Sequence, residues 1–168
     1  QGNTITTATN TITLALGNNP GGGTLSGTLA VAAVNGIATF NGLSINLIGT
    51  GYTMMANATG LTNATSNAFN ITAGNAARLG FTVSPVTGVA GAVLAPAVQV
   101  AVQDAFGNTI TTATNSITVA MGTNPTGAAL GGTRTLVAVN GIATFNDLTV
   151  SLAGTNYTLT ATAGGLPG

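Results

Sequence analysis

Only four side chains in this 168-residue chain carry a formal charge at neutral pH: Arg78, Asp104, Arg134 and Asp147. His, Cys, Lys, Glu and Trp are absent altogether. General acid–base catalysis needs a titratable group within hydrogen-bond reach of the substrate. Two isolated carboxylates are a poor supply, so the composition predicts a protein that is not an enzyme. Zinc and iron–sulfur centres are built on Cys and His, so no cofactor or metal is expected. Nucleic acids are held by Lys and Arg that neutralise phosphates. Two Arg balanced by two Asp make no basic patch, and no nucleic-acid partner is expected.

Weaker chemistry remains to be weighed. Asp104 and Asn108 offer oxygens to a calcium ion, but calcium takes six to eight oxygens, usually with several carboxylates. An Asx-type turn is the simpler expectation. The glycine-rich stretch Gly17-Asn18-Asn19-Pro20-Gly21-Gly22-Gly23 suggests a phosphate loop, which would need a following Lys; it reads as a flexible inter-strand loop. Asp147 and Arg134 read as solvated surface residues. Thr158, Thr160 and Thr162 form a row that could face ice or a crystalline polysaccharide, but Thr is simply a good strand former. Four Asn-x-Ser/Thr sequons, at Asn57, Asn63, Asn70 and Asn156, are the candidate acceptors for covalent glycans.

Charged residues make up 2% of the chain and the net charge is zero, a balance that favours association. Self-association into a fibre or array is therefore expected. The most apolar run, from Gly88 to Val102, is interrupted by Gly91, Pro96 and Gln99. A spanning helix needs about 20 predominantly apolar residues, so the chain is not expected to be transmembrane. It opens Gln1-Gly2-Asn3 without a signal-peptide pattern, which reads as a mature or internal fragment.

The elements that position these residues come in duplicate. Residues 1–63 align with residues 106–168 at a constant offset of 105, without gaps, and 38 of the 63 pairs are identical. A period of that length matches a whole small domain rather than a solenoid unit. Each copy reads as β. Val98, Val100 and Val102 alternate with Gln99, Ala101 and Gln103, and Ile117, Val119 and Met121 alternate with Thr118 and Ala120. Period-two alternation sends one set inward and the other outward. Strands are predicted near 68–72, 78–84, 97–103, 116–121, 133–139, 141–145, 147–152 and 156–163. The pairs Asn35-Gly36 and Asn140-Gly141 supply the positive φ angles of two-residue hairpin turns. The domains are expected at 1–73, the C-terminal part of a first repeat, and at 74–168, a second repeat lacking its last strand.

The run Val102-Gln103-Asp104-Ala105-Phe106-Gly107-Asn108 resembles the strand and turn of bacterial immunoglobulin-like repeats. Val139-Asn140-Gly141-Ile142-Ala143-Thr144-Phe145 resembles their central hairpin. Ala153-Gly154-Thr155-Asn156-Tyr157-Thr158-Leu159-Thr160-Ala161 resembles their closing strand, and Ile48 to Ala56 is similar with variations. The resemblance covers essentially the whole chain. It implies an all-β fold of tandem immunoglobulin-like β-sandwiches. Tyr52 and Tyr157 stand two residues before Met54 and Leu159, where antibody domains carry a core Cys. They are expected to form structural tyrosine corners. Invasin- and intimin-like proteins and long adhesins use such repeats as extracellular spacers. The resemblance thus implies a structural segment of a stalk or filament at a microbial cell surface, assembled in its sharper version by strand addition between chains. The competing expectation is an adhesin module that recognises a glycan or host protein through loops 17–27 and 122–132.

Overall fold

A computed structural model describes residues 3–166; Gln1, Gly2, Pro167 and Gly168, which fall within the two expected domains, lie outside the described residues. The described residues form sixteen short strands and no helix. They divide into two compact units, one running to Thr72 and the other starting at Ala73.

The first unit contains β1 (Thr11–Leu16), β2 (Leu25–Ser26), β3 (Ala30–Ala32), β4 (Ser44–Ile45), β5 (Gly49–Tyr52), β6 (Met54–Asn57), β7 (Ala64–Thr65) and β8 (Phe69–Ile71). Its largest sheet has the order β3-β1-β6-β7, and the pairs β2-β4 and β5-β8 stand beside it. In β1, Ile12, Leu14 and Leu16 are half-buried while Thr11, Thr13 and Ala15 face solvent, as period-two alternation requires.

The second unit contains β9 (Arg78–Val83), β10 (Val98–Gln103), β11 (Ser116–Met121), β12 (Leu130–Gly131), β13 (Thr135–Val137), β14 (Ile142–Phe145), β15 (Thr149–Val150) and β16 (Leu159–Ala163). One sheet has the order β14-β10-β9 and another β13-β11-β16, with β12-β15 as a small third pair. The core draws on both larger sheets. Val98, Val100 and Val102 of β10 and Phe145 of β14 pack in one cluster with Ile117 and Val119 of β11 and Ala161 and Ala163 of β16. Aliphatic side chains shared between facing sheets are the packing of the sandwich class. Burying each large apolar side chain there contributes roughly 2 kcal/mol.

The ladders repeat with the sequence. Thr13 faces Ala30 and Asn57 in the first unit, and Thr118 faces Thr135 and Thr162 in the second. Leu25 pairs with Ile45, and Leu130 with Val150. Every one of these pairs is displaced by the same 105 positions that relate the two copies. Several strands are shorter than the alternation predicts. The stretch expected as 133–139 narrows to Thr135–Val137, 147–152 to Thr149–Val150, and 156–163 starts only at Leu159. Alternation marks most inward residues, with Ala101, expected outward, fully buried in β10, but a ladder forms only where a partner backbone lies alongside.

Candidate functional site

The two tyrosines organise equivalent corners. Tyr52 is fully buried, and its hydroxyl donates to the Leu47 carbonyl at 2.9 Å. The Tyr157 hydroxyl donates to the Leu152 carbonyl at 3.1 Å and also pairs with Thr126 Oγ1. The position equivalent to Thr126 is Gly21, where any Cβ would run into the Tyr52 hydroxyl. One copy thus fits its tyrosine through a missing side chain and the other through a hydroxyl contact.

What lies beside each tyrosine differs. In the first unit β8 pairs with β5: Gly49 faces Ile71, Thr50 faces Asn70 and Tyr52 faces Phe69. The rings of Tyr52 and Phe69 stack with centroids 6.2 Å apart. Asn70 Oδ1 accepts from the Gly51 N–H at 3.0 Å, and Ser66 Oγ accepts from the Met54 N–H at 2.9 Å. In the second unit the same residue types recur at Gly154, Thr155 and Tyr157, but no strand pairs with them among the described residues, and they form no ladder. Tyr157 is only half-buried. It lines a groove of about 470 Å³, bounded by Val150 and residues 152–159 together with Met121, and by residues 85–90 and Leu94. Val86 and Val89 on the far wall are 87% and 76% exposed.

The Asp104 turn is closed rather than open to a cation. Its Oδ1 accepts from the N–H groups of Phe106 and Asn108, both at 2.9 Å. Its Oδ2 accepts from the Gly74 N–H at 3.0 Å and from Asn108 Nδ2 at 2.9 Å. An ionised carboxylate has about four acceptor positions, and the chain's own donors fill them. Desolvation, the largest single influence, pushes the Asp104 pKa upward, but the Asn108 side chain and the three backbone donors together outweigh it and hold it at about 2. Among the described residues no group of three or more His, Cys, Asp or Glu side chains lies together.

Asp147 is more than the solvated charge that its replacement by Gly42 in the first copy suggests. Both its carboxylate oxygens accept from the Thr133 N–H, and Oδ2 also accepts from Thr133 Oγ1 at 2.8 Å. Those bonds, the side-chain one foremost, lower its pKa. The glycine-rich loops are likewise pinned rather than slack. Asn19 Nδ2 donates to the Gly23 carbonyl and its Oδ1 accepts from the Gly23 N–H, at 2.9 and 2.8 Å. Asn124 makes the same reciprocal pair with Ala128. Glycine richness concealed this tie, but an Asn at the same place in both copies could have revealed it, since Asn side chains bond to nearby backbone in turns.

Asn35-Gly36 has φ values of 51° and 78°, and Asn140-Gly141 has 50° and 77°. Each pair closes a two-residue turn with reciprocal backbone bonds, between Val34 and Ile37 and between Val139 and Ile142. A Cβ at Gly141 would strike the Ile110 carbonyl, so that glycine is required by space as well as by φ. Of the sequon residues, Asn63, Asn70 and Asn156 are exposed and Asn57 is half-buried. Thr158, Thr160 and Thr162 are all exposed. The structure brings Tyr157 and Asn156 together on the groove and leaves the other sequons apart from it. The groove itself was missed in the sequence; the apolar Val86 and Val89 outside any predicted strand were the available signal.

No protein-family model and no curated protein matches the chain. Among solved structures it is similar to two crystal structures of Parabacteroides merdae beta-glucuronidase, one of them with glycerol in the active site. Sequence identity is 14% to each, and the TM-scores are 0.42 and 0.43. The match covers 95% of this chain and 20% of that chain. The chain thus spans about a fifth of the length of those enzymes. No helix among the described residues is long and apolar enough to cross a membrane.

Proposed function

We propose that this chain is a structural segment of an extracellular protein built from tandem immunoglobulin-like sandwiches, serving as a stalk or filament at a microbial cell surface. The observation that carries the reading is the repeat in three dimensions: two serial units whose strand pairings coincide at an offset of 105 residues. Serial domains give length. The immunoglobulin-like assignment draws support from β9, β10 and β14 sharing one sheet while β11 and β16 are neighbours in another, the partition of A, B and E from C and F in that fold. The two tyrosines bonding to backbone five residues upstream agree with it. A surface of Thr and Asn with few charges needs protection along its strand edges. Glycans on the exposed Asn63, Asn70 and Asn156, or contacts between chains, would supply it.

Electron microscopy of the native material at neutral pH tests the proposal. Regular filaments or rods with an axial repeat are expected. Isolated compact particles would overturn it. Mass spectrometry of the peptides of that material that carry Asn63, Asn70 and Asn156, compared with their bare sequence masses, decides the glycans.

A further inference from the structure

Asn is followed by Gly three times in the chain, at Asn35-Gly36, Asn41-Gly42 and Asn140-Gly141. In this dipeptide the backbone attacks the Asn side chain with least hindrance, because glycine has no Cβ to shield its nitrogen. The Gly nitrogen bonds to the Asn Cγ and gives up its proton, ammonia departs with the amide nitrogen, and a five-membered cyclic imide remains. Water then opens one of the two imide carbonyls. The product is aspartate or, with the main chain rerouted through the side-chain carbon, isoaspartate. Ring closure has one geometric demand: Cβ and the following nitrogen must lie on the same side of the Asn Cα–C bond.

The fold treats the three pairs differently. Asn35 and Asn140 have φ values of 51° and 50°, and the glycines after them 78° and 77°. This is type I′ geometry, in which ψ of the first central residue is about +30°. At that ψ an L-residue holds Cβ and the next nitrogen on opposite sides of the Cα–C bond, and the ring cannot close. Rotating out of it breaks the reciprocal bonds between Val34 and Ile37, or between Val139 and Ile142. Both turns are also backed closely by other backbone, since a Cβ on Gly36 or Gly141 would strike the Ile5 or Ile110 carbonyl.

Asn41 and Gly42 carry no such lock. Both are exposed, and Asn41 is outside the left-handed region that holds Asn35 and Asn140. Among the described residues no hydrogen bond pins either of them. Nothing lies within 4 Å of the place a Gly42 Cβ would take. The close approach of Gly27 is to the Gly42 carbonyl, away from the attacking nitrogen. The equivalent Asn146 and Asp147 are exposed as well, in the unit where β14 has its ladder partner, so the openness belongs to this turn of the repeat. We infer that Asn41 is a site of spontaneous deamidation in the folded protein, and that the other two Asn-Gly pairs are locked against the same reaction by their turns. The product places a carboxylate in the first unit, which has no acidic side chain, one position before the equivalent of Asp147. It gives a neutral chain a net negative charge, which works against association.

The test is a time course on the full chain at mildly alkaline pH, folded and in denaturant, with mass-spectrometric fragmentation assigning each amide-to-acid mass gain to its Asn. In the folded chain Asn41 is expected to convert at least tenfold faster than Asn35 or Asn140, because those two react only from opened turns. In denaturant the three rates should agree within about threefold, since only fluctuating local structure is left to separate them. Isoelectric focusing of the folded chain should show one acidic species growing in at the rate of Asn41 conversion. That species should be missing from Asn41→Gln, whose longer side chain would have to close a larger ring. Absence of conversion at Asn41, or an acidic species that persists at the same rate in Asn41→Gln, would overturn the site. Conversion of Asn35 or Asn140 as fast as Asn41 in the folded chain would overturn the lock. A ranking that survives in denaturant would trace to neighbouring residues rather than to the turns, and would overturn the lock as well. Each of these readouts is independent of the stalk and filament reading.

Discussion

Two stretches of nearly the same sequence, Gly49–Tyr52 and Gly154–Tyr157, end in different states. The first is a strand with its tyrosine fully buried against Phe69; the second is irregular, with its tyrosine half-open on a groove. The reverse contrast holds at the other end of the repeat. Ile142–Phe145 is a strand because β10 lies beside it, and Phe145 is 1% exposed. The equivalent Ile37 to Phe40 has no such neighbour among the described residues, and Ile37 is 60% exposed. Identical side chains do not set strand or loop on their own. The backbone's second partner does, because an extended segment satisfies its donors and acceptors only across a ladder.

The comparison can be pressed first at the core. Phe145→Ala should destabilise the second unit by about 4 kcal/mol, the usual loss for a fully buried Phe. Phe40→Ala, at a half-covered site, should lower the first unit by about half of that or less. Amide exchange read separately in each unit measures both. Equal losses would mean that the cores are equally closed.

Acid sharpens the contrast next. Asp104 is ionised in the fold down to about pH 2, against an ordinary value of 3.8. A depressed folded-state pKa gives stability that is fully present above the unfolded value and disappears as pH falls through the folded one. The second unit should therefore lose roughly 2 kcal/mol between about pH 4 and pH 2. Asp147 adds to the same trend in the same direction. The first unit, which has no carboxylate side chain, should change little over that range. Thermal unfolding followed unit by unit across this pH series is the measurement. Asp104→Asn should flatten most of the dependence while weakening the unit at neutral pH, since its amide donor would face donors.

The smallest effect expected is at the corners. Tyr52→Phe should cost about 1 kcal/mol, because the Leu47 carbonyl would lose its partner in a buried site. Tyr157→Phe should cost less, since water reaches the half-open ring and replaces the bond. Denaturant unfolding of both variants checks the order, and a larger loss at Tyr157 would place that corner, not the buried one, in control.

Much of this was legible before any coordinates. Val98, Val100 and Val102 alternate with Gln99, Ala101 and Gln103 and are buried in β10, although Ala101, expected to face outward, is fully buried as well. The Asn-Gly pairs become tight turns because only such residues accept consecutive positive φ values cheaply. Asp104 with Asn108 becomes a closed turn because an Asx side chain bonds to its own following backbone. These are local effects, fixed within a few residues. The groove was not legible, because Pro85 to Ala90 and Gly154 to Tyr157 lie far apart in the chain and meet only in the folded unit. Nor was the different burial of the two tyrosines, since Gly49, Thr50 and Thr53 recur around Tyr157 as Gly154, Thr155 and Thr158, and the change of Gly51 to Asn156 does not announce it.

The sequence by itself determined the β character, the 105-residue repeat, the turns, and the poverty of titratable chemistry, all of which follow from side-chain type and short-range periodicity. Tertiary structure alone decided how far each ladder extends and how deeply each tyrosine is buried. Each of those depends on whether a backbone distant in sequence arrives alongside to complete a ladder, and no local pattern encodes that arrival.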